Sequence, residues 1–342
     1  MFKKNELLDD AYIIAEVGQN HQGDFETAKK YIKEFSRLGA DAIKFQTRDN
    51  KFLFSECAYN KKYDSENAFS DIYGLHREKL ELKKEWLIEL KEYCHECGVM
   101  FMATPFDEPS LELLCEIGVD IIKVASFDVG NLPFINKIAS KGLPTVMSIG
   151  GGKIDQIRDS VALLTEQLDE VALLHCVSEY PCDVTRLGFD NITLLINEFP
   201  ECVIGLSDHY NGPITGPIGY MKGARVFEKH VTLSRAWKGT DHSFSLELNG
   251  FNSFVRYIRR IPCMMPPKPE DELGSEAVFQ KLGKSIVAGC DLIKGDKLSL
   301  ENLSGKIFGE QYIPVRESNI VLGKTLTKDT KKGDLIFYEN LV

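Results

Sequence analysis

No apolar run in this chain approaches the roughly 20 residues needed to cross a bilayer, so no membrane-spanning segment and no membrane partner are expected. The opening stretch MFKKNELLDDAYII has neither the apolar core nor the small-residue cleavage site of a secretory signal. Basic residues are in deficit: 41 Lys and Arg against 51 Asp and Glu leave a formal charge of −10. That balance argues against a nucleic-acid binder, which would display a basic stripe. It leaves room for an anionic small substrate, because a few lysines in a cleft can outweigh the mean field. The nine cysteines are odd in number and scattered, so a disulfide framework is not expected and the chain reads as a reduced, cytoplasmic enzyme. Gly150-Gly151-Gly152 lacks the Lys-Ser/Thr ending of a P-loop, and no strong dinucleotide fingerprint occurs elsewhere. Cys94-His95-Glu96-Cys97 lies inside an amphipathic helical pattern with no second CxxC at metal-ligand spacing, so it reads as helix packing.

What is present is an ordinary globular composition, 43% hydrophobic and 27% charged, arranged as eight short apolar runs. These are 11–18, 41–47, 99–106, 120–128, 144–150, 171–178, 203–209 and 225–232. Each is nearly continuous in Val, Ile, Leu and Phe, as expected for parallel strands buried on both faces. Helical patterns separate them, among them DFETAKKYIKEFSRLG with its acidic N-cap and KKEWLIELKEYCHECG ending at Gly98. Eight such units predict a closed (β/α)8 TIM barrel, with a doubly wound open sheet as the alternative. The barrel pattern fades after FNSFVRYIRRI, and PCMMPPKPEDELGS reads as a linker. The expected division is a barrel over 1–262, a linker over 263–280 and a small β-rich domain over 281–342. The polar, aromatic segment 48–80 is too long for a routine loop and is expected to cover the barrel mouth.

Barrel chemistry gathers at the C-terminal strand ends. Here those ends carry Glu16, Lys44, Gln46, Thr104, Lys123, Ser126, Asp128 and Ser148, followed by Ser178, Tyr180, Ser207, His209 and His230. His209 and His230 end adjacent apolar runs and could share a divalent metal. Two histidines are too few for a closed zinc site but suit an open one completed by water and substrate oxygens; the bland alternative is a hydrogen-bonded core pair. Lys44 and Lys123 are charges at the ends of apolar strands, expensive to bury unless an anion meets them. Lys123 could alternatively be a Schiff-base nucleophile.

Seven ordered motifs, IIAEVGQNHQGD, IKFQT, FMATPFD, IIKVASFDVGNLPFI, LLHCVSEYP, IGLSDH and FEKHVTLSRAWKGTDHSFSLE, together resemble the N-acetylneuraminate (sialic acid) synthase family. That family includes legionaminate and pseudaminate synthases and spore-coat polysaccharide relatives. The stretch QKLGKSIVAGCDLIKGDKLSLENL resembles the family's antifreeze-like (SAF) domain. The resemblance implies condensation of phosphoenolpyruvate with an N-acetylated hexosamine-type aldose, N-acetylmannosamine or a diacetamido-dideoxy sugar, with release of phosphate. It also implies a divalent metal, Mn²⁺ first with Mg²⁺ or Co²⁺ as alternatives, and a domain-swapped homodimer. Carried over by motif, His209 and His230 hold the metal and Glu16 orients or deprotonates the attacking water. Lys44, Lys123, Ser126, Ser148, Ser178 and Ser207 surround phosphoenolpyruvate, Thr104 joins the substrate-binding set, and Gln46, Asp128, Tyr180 and Asp241 contact the sugar. The chain departs from the family in reading Ser148-Ile149-Gly150-Gly151 where STGM is common, and Ser178 where asparagine is common. GKIFGEQYIPVRES lacks the usual antifreeze-domain arginine, Arg316 lying further along. A Schiff-base aldolase and a catalytically silent sugar-binding homologue are the competing expectations.

Overall fold

The computed structural model describes Phe2 and residues 10–342, so the signal-free reading of the N-terminus falls largely outside the described residues. Eight parallel strands close into a barrel in sequence order. They are β1 (Tyr12–Gly18), β2 (Ala42–Thr47), β3 (Met100–Pro105), β4 (Ile121–Val124), β5 (Thr145–Ser148), β6 (Val171–Cys176), β7 (Val203–Asp208) and β8 (Val226–His230). The eight apolar runs of the sequence each hold one of these strands. The runs at 120–128 and 171–178 overshoot: β4 stops at Val124 before a 3-10 turn over Ser126–Asp128, and β6 stops at Cys176.

Side chains alternate across each strand, and the barrel sorts them by layer. Ile13, Ala15, Val17, Ile43 and Phe45 join the outer core beneath the helices. Ile14, Ala42, Met102, Ile121, Val146, Ala172 and Val226 form a separate inner core, with Phe2 packed among them. Stepping two residues further along six of the inward rows replaces hydrocarbon by chemistry. Ile14 is followed by Glu16, Ala42 by Lys44, Met102 by Thr104, Ile121 by Lys123, Val146 by Ser148, and Val226 by Glu228 and then His230. The inner row of β7 passes through Gly205, where a Cβ would stand 2.2 Å from the Val226 carbonyl oxygen and 2.5 Å from a Leu174 methyl. Only glycine fits at that narrow point.

The helices fit this scaffold for local reasons. Asp24 caps the helix Phe25–Arg37 by accepting from the Thr27 N–H at 2.7 Å. Ala28, Tyr31, Ile32 and Phe35 recur at helical spacing and are all buried. Each such large apolar side chain contributes about 1.5–3 kcal/mol through burial. The last barrel helix, Leu248–Met264, buries Phe251, Phe254, Val255 and Ile258. No helix among the described residues is long and apolar enough to cross a membrane.

A second compact unit, Pro266–Val342, has its own core of Ile286, Ala288, Leu292, Leu298, Ile313, Val321, Leu326 and Ile336. It holds one antiparallel pair, β9 (Ser285–Ala288) with β10 (Leu303–Lys306), and isolated bridges such as Leu292 with Thr330. Residues 266–282 belong to this unit and include the short helix Ala277–Leu282.

Candidate active site

A cavity of about 220 Å³ opens at the C-terminal ends of the barrel strands, lined by side chains from all eight. The register explains the convergence. Glu16 on β1 stands beside Lys44 on β2 and His230 on β8, while Ser207 on β7 stands beside Glu228 on β8. A shift in the β1–β2 register between Glu16 and Gly18 ends the regular ladder there, with Gly18 at φ +56°.

Lys44 is the hub of the inner site. Its ammonium lies 2.8 Å from Glu16 and 3.6 Å from Glu228, all three side chains being at least 94% buried, and it donates to Thr104 Oγ1 at 3.3 Å. Burial opposes its charge, but the two carboxylates outweigh that and hold its pKa above the ordinary lysine value. The carboxylates diverge. Burial drives the Glu16 pKa up against the pull of Lys44, with Glu228 adding to the rise. At Glu228 burial is overcome by Lys123 and Lys44, and the pKa falls. Glu16 also accepts from Gln46 Nε2 at 2.7 Å, and Glu228 from Ser207 Oγ at 3.0 Å.

Lys123 is different. Its ammonium donates to the Val124 carbonyl at 2.9 Å and forms no ion pair among the described residues. Burial lowers its pKa, with Glu228 opposing the shift. Near it in the lining are the hydroxyls of Ser126 and Ser148. Ser126 accepts from the Gly150 N–H at 3.0 Å, while the buried Ser148 Oγ has no partner.

The two histidines face the same cavity with ring centres 5.5 Å apart. His209 Nδ1–H donates to the Val177 carbonyl at 2.7 Å, which leaves the Nε2 lone pair free to ligate. His230 is buried with Nδ1 unpartnered, and burial lowers its pKa to about 4, so the ring is neutral. A ring nitrogen with a free lone pair is what a divalent metal requires of each histidine. No group of three or more His, Cys, Asp or Glu poised for a metal occurs among the described residues. The donor set therefore fits an open site completed by oxygen ligands rather than a closed cage. Tyr180 packs on His209 at 4.1 Å between ring centres, and Phe244 on His230 at 5.2 Å. The turn after His209 is fastened from behind: Lys229 bonds Asp208 and the Tyr210 carbonyl, and Thr215 bonds Asp208.

Of the residues singled out from sequence, Glu16, Lys44, Gln46, Thr104, Lys123, Ser126, Ser148, Tyr180, Ser207, His209, His230 and Asp241 all line this cavity. Asp128 and Ser178 do not. Asp128 closes the turn after β4 and accepts from Asn131 at 2.9 Å. Ser178, two residues past the end of β6, lines a neighbouring groove with Gly151 and Gly152. Glu228, Cys176, Arg48 and Arg77 line the cavity without having been singled out for a role. Glu228 was within reach of period-two reasoning from His230; the arginines carry no periodic signal. Both come from the segment 48–80, which folds as three short helices. That segment is tied to the loop after β8 by the Gly239 N–H donating to Asn67 at 3.0 Å.

A closed parallel barrel whose strand tips present paired lysines, carboxylates and two facing histidines defines an enzyme of the barrel class acting on an anionic substrate. The family model for the NeuB family matches residues 31–268, and the chain belongs to that family. It is 34% identical to the N-acetylneuraminate-9-phosphate synthase of Drosophila melanogaster, over 98% of this chain and 97% of that protein. It is 32% identical to the N,N'-diacetyllegionaminic acid synthase of Legionella pneumophila, over 96% and 94%. Among solved structures, the N-acetylneuraminic acid (sialic acid) synthetase of Leptospira borgpetersenii superposes with a TM-score of 0.67 at 31% identity, covering 80% of this chain and 90% of that one.

Proposed function

We propose that this protein condenses phosphoenolpyruvate with an N-acetylated hexosamine-type aldose to give a nonulosonic, sialic-acid-type 2-keto acid, releasing phosphate. The observation that carries this reading is Lys123, a buried ammonium facing a cavity with no carboxylate at ion-pair distance among the described residues. An anion from outside completes it. Phosphoenolpyruvate carries a carboxylate and a phosphate, and Lys44, Lys123 and the hydroxyls of Ser126, Ser148 and Ser207 supply the charges and donors to hold both.

In the reaction so proposed, C3 of phosphoenolpyruvate attacks the aldehyde carbon of the open-chain sugar with the C2=C3 electron pair, forming the new C–C bond and leaving an alkoxide on the former aldehyde oxygen. Water adds at C2, which has become electron-poor; Glu16 takes one of its protons and returns it to the alkoxide. The C–O bond to phosphate then breaks as the remaining C2 hydroxyl becomes the ketone and its proton leaves with phosphate, giving the 2-keto acid. The raised pKa of Glu16 suits a base that must take and return a proton near neutral pH. Gln46 fixes the Glu16 carboxylate through the 2.7 Å bond, and Tyr180 and Asp241, which line the same cavity, would hold the sugar. His209 and His230 would hold a divalent metal, Mn²⁺ first and Mg²⁺ or Co²⁺ next, and it would supply Lewis acidity to the aldehyde. The second unit is assigned as an antifreeze-like domain in a domain-swapped homodimer. All nine cysteines are free thiols, in keeping with a reducing, cytoplasmic setting. The relatives' names divide between a phosphorylated product and unphosphorylated ones, so both acceptor classes enter the test.

One observation favours a Schiff-base aldolase instead, the burial that lowers the Lys123 pKa. Phosphate release from phosphoenolpyruvate with Mn²⁺ and N-acetylated sugars separates the two. Sugar-dependent release with no borohydride-trapped pyruvate adduct supports the synthase; a trapped adduct on Lys123 refutes it.

A further inference from the structure

The inner end of the cavity takes its charge from β2 and β4, through Lys44 and Lys123. A second pair of cations lies further out. Arg48 follows Gln46 by two residues, beyond the rim of β2, and Arg77 stands on the short helix Tyr73–Glu78 in the segment over the mouth. The Arg48 side chain is 94% buried. Its guanidinium stacks 3.7 Å over the Phe106 ring, and Nη2 donates to Gln46 Oε1 at 2.7 Å. Nη1 makes no hydrogen bond, its nearest carboxylate oxygen being Glu81 Oε1 at 3.5 Å. Arg77 Nε is buried and unpartnered, and Arg77 forms no ion pair among the described residues.

The neighbouring acids are already engaged. Glu81 Oε2 accepts the Arg48 backbone N–H at 3.0 Å, and Oε1 takes Gln19 Nε2 at 3.5 Å. Asp241 Oδ1 accepts from Thr240 at 2.8 Å. Two guanidinium forks thus face the cavity with donors to spare, and each repels the other's charge. Two planar forks converging from different elements match a tetrahedral dianion with three equivalent oxygens better than they match a hydroxyl or an amide.

We propose that Arg48 and Arg77 form a second anion subsite, which holds a terminal phosphate monoester on the acceptor sugar. The inference rests on the synthase reading and narrows its acceptor class. Phosphoenolpyruvate occupies the inner lysines, the sugar spans the cavity past Gln46 and Asp241, and the phosphate meets the arginines at the rim.

The test uses the full-length protein with Mn²⁺ and phosphoenolpyruvate, offered N-acetylmannosamine or its terminal phosphate monoester, with phosphate release followed for each. The phosphorylated sugar is expected to have a kcat/KM at least about tenfold above that of the plain sugar. Arg77→Met is expected to lower that ratio by roughly tenfold or more, the effect of removing a charge-assisted fork, and Arg77→Lys to restore part of it. A wild-type ratio at or below one, or a ratio that Arg77→Met leaves unchanged, overturns the subsite while leaving the synthase standing. Release with neither sugar overturns the subsite; a diacetamido-dideoxy hexose assayed beside them then decides the synthase reading, which stands if that sugar gives release and fails if it does not.

Discussion

Lys44 and Lys123 are both buried cations in one cavity, yet their removal should have different signatures. Lys44 bridges two buried carboxylates at 2.8 and 3.6 Å. Lys44→Met would leave Glu16 and Glu228 with only Lys123, beyond ion-pair distance, as counter-charge, and breaking a buried ion pair in this way costs about 3–5 kcal/mol. Lys123 makes no ion pair among the described residues and spends its hydrogen bond on the Val124 carbonyl, while its charge helps Lys44 to hold the Glu228 pKa down. Replacing it by a hydrophobic side chain removes one buried charge and weakens the hold on another, so the cost should stay below that of Lys44→Met, about 1–2 kcal/mol. Urea unfolding with and without phosphoenolpyruvate reads both effects. A ligand at 100 times its Kd stabilises the native state by about 2.7 kcal/mol. Wild type should show that increment. Lys123→Met should lose it while keeping most of its unliganded stability, and Lys44→Met should lose both. The reasoning is refuted if Lys123→Met proves the less stable variant without ligand, or if it retains the phosphoenolpyruvate increment.

Chelation should abolish phosphate release and Mn²⁺ should restore it, whereas His209→Ala and His230→Ala should remain inactive at any metal concentration that restores wild type; a His230→Ala variant with full metal-dependent activity would remove that residue from the site. Gly205→Ala forces a Cβ to 2.2 Å from the Val226 carbonyl oxygen, and the resulting strain should cost roughly 1–3 kcal/mol or more, visible as a lowered Tm; an unchanged Tm would mean that β7 and β8 part more easily than the packing implies. His21 is fully buried, accepts the Gly23 N–H at 3.0 Å, and has its pKa lowered by burial from 6.5 to about 4. Because the folded state holds the proton less tightly, its contribution is complete above pH 6.5 and is lost as pH falls toward 4, up to about 3 kcal/mol from this one group. Urea midpoints across that window should fall less steeply for His21→Asn, and an identical slope would exclude His21 as the source.

How far the site was legible in the sequence depends on where each residue stands relative to a strand end. Glu16, Lys44 and Lys123 were visible because a lone charge at the end of an apolar strand has few places to go but a cleft. His209 and His230 were visible because adjacent parallel strands bring their tips together. Glu228 was harder to assign, since Glu228, Lys229 and His230 form an unbroken polar run. Only the alternation that puts Val226, Glu228 and His230 inside and Lys229 outside, against Asp208, separates the inward acid from the outward base. Asp128 and Ser178 stand outside the cavity lining for the converse reason. The apolar runs continue in sequence past Val124 and Cys176, but the ladders stop there. Beyond the last paired residue, alternation no longer dictates which way a side chain points.

The same limit explains why the outer half of the cavity had to come from the structure. An inward position on β2 is determined by period and register, so Lys44 and Gln46 follow from the pattern once the strand is found. Arg48 lies two residues on, where the inward direction survives only because its guanidinium is pinned between Gln46 and the face of Phe106. Arg77 reaches the same space after a further 29 residues of chain, by a path held through contacts such as Tyr63 on His76 at 4.6 Å and Asn67 on Gly239 at 3.0 Å. None of these contacts has a periodic signature. Regular strands thus supply the chemistry common to a barrel of this kind, while the irregular segment supplies the charges that would choose among acceptors. Swapping residues 48–80 for the corresponding segment of a relative with a different acceptor should therefore change which sugar is used before it changes whether phosphoenolpyruvate is used. A chimera that loses phosphoenolpyruvate binding while keeping its sugar preference would reverse that division of labour.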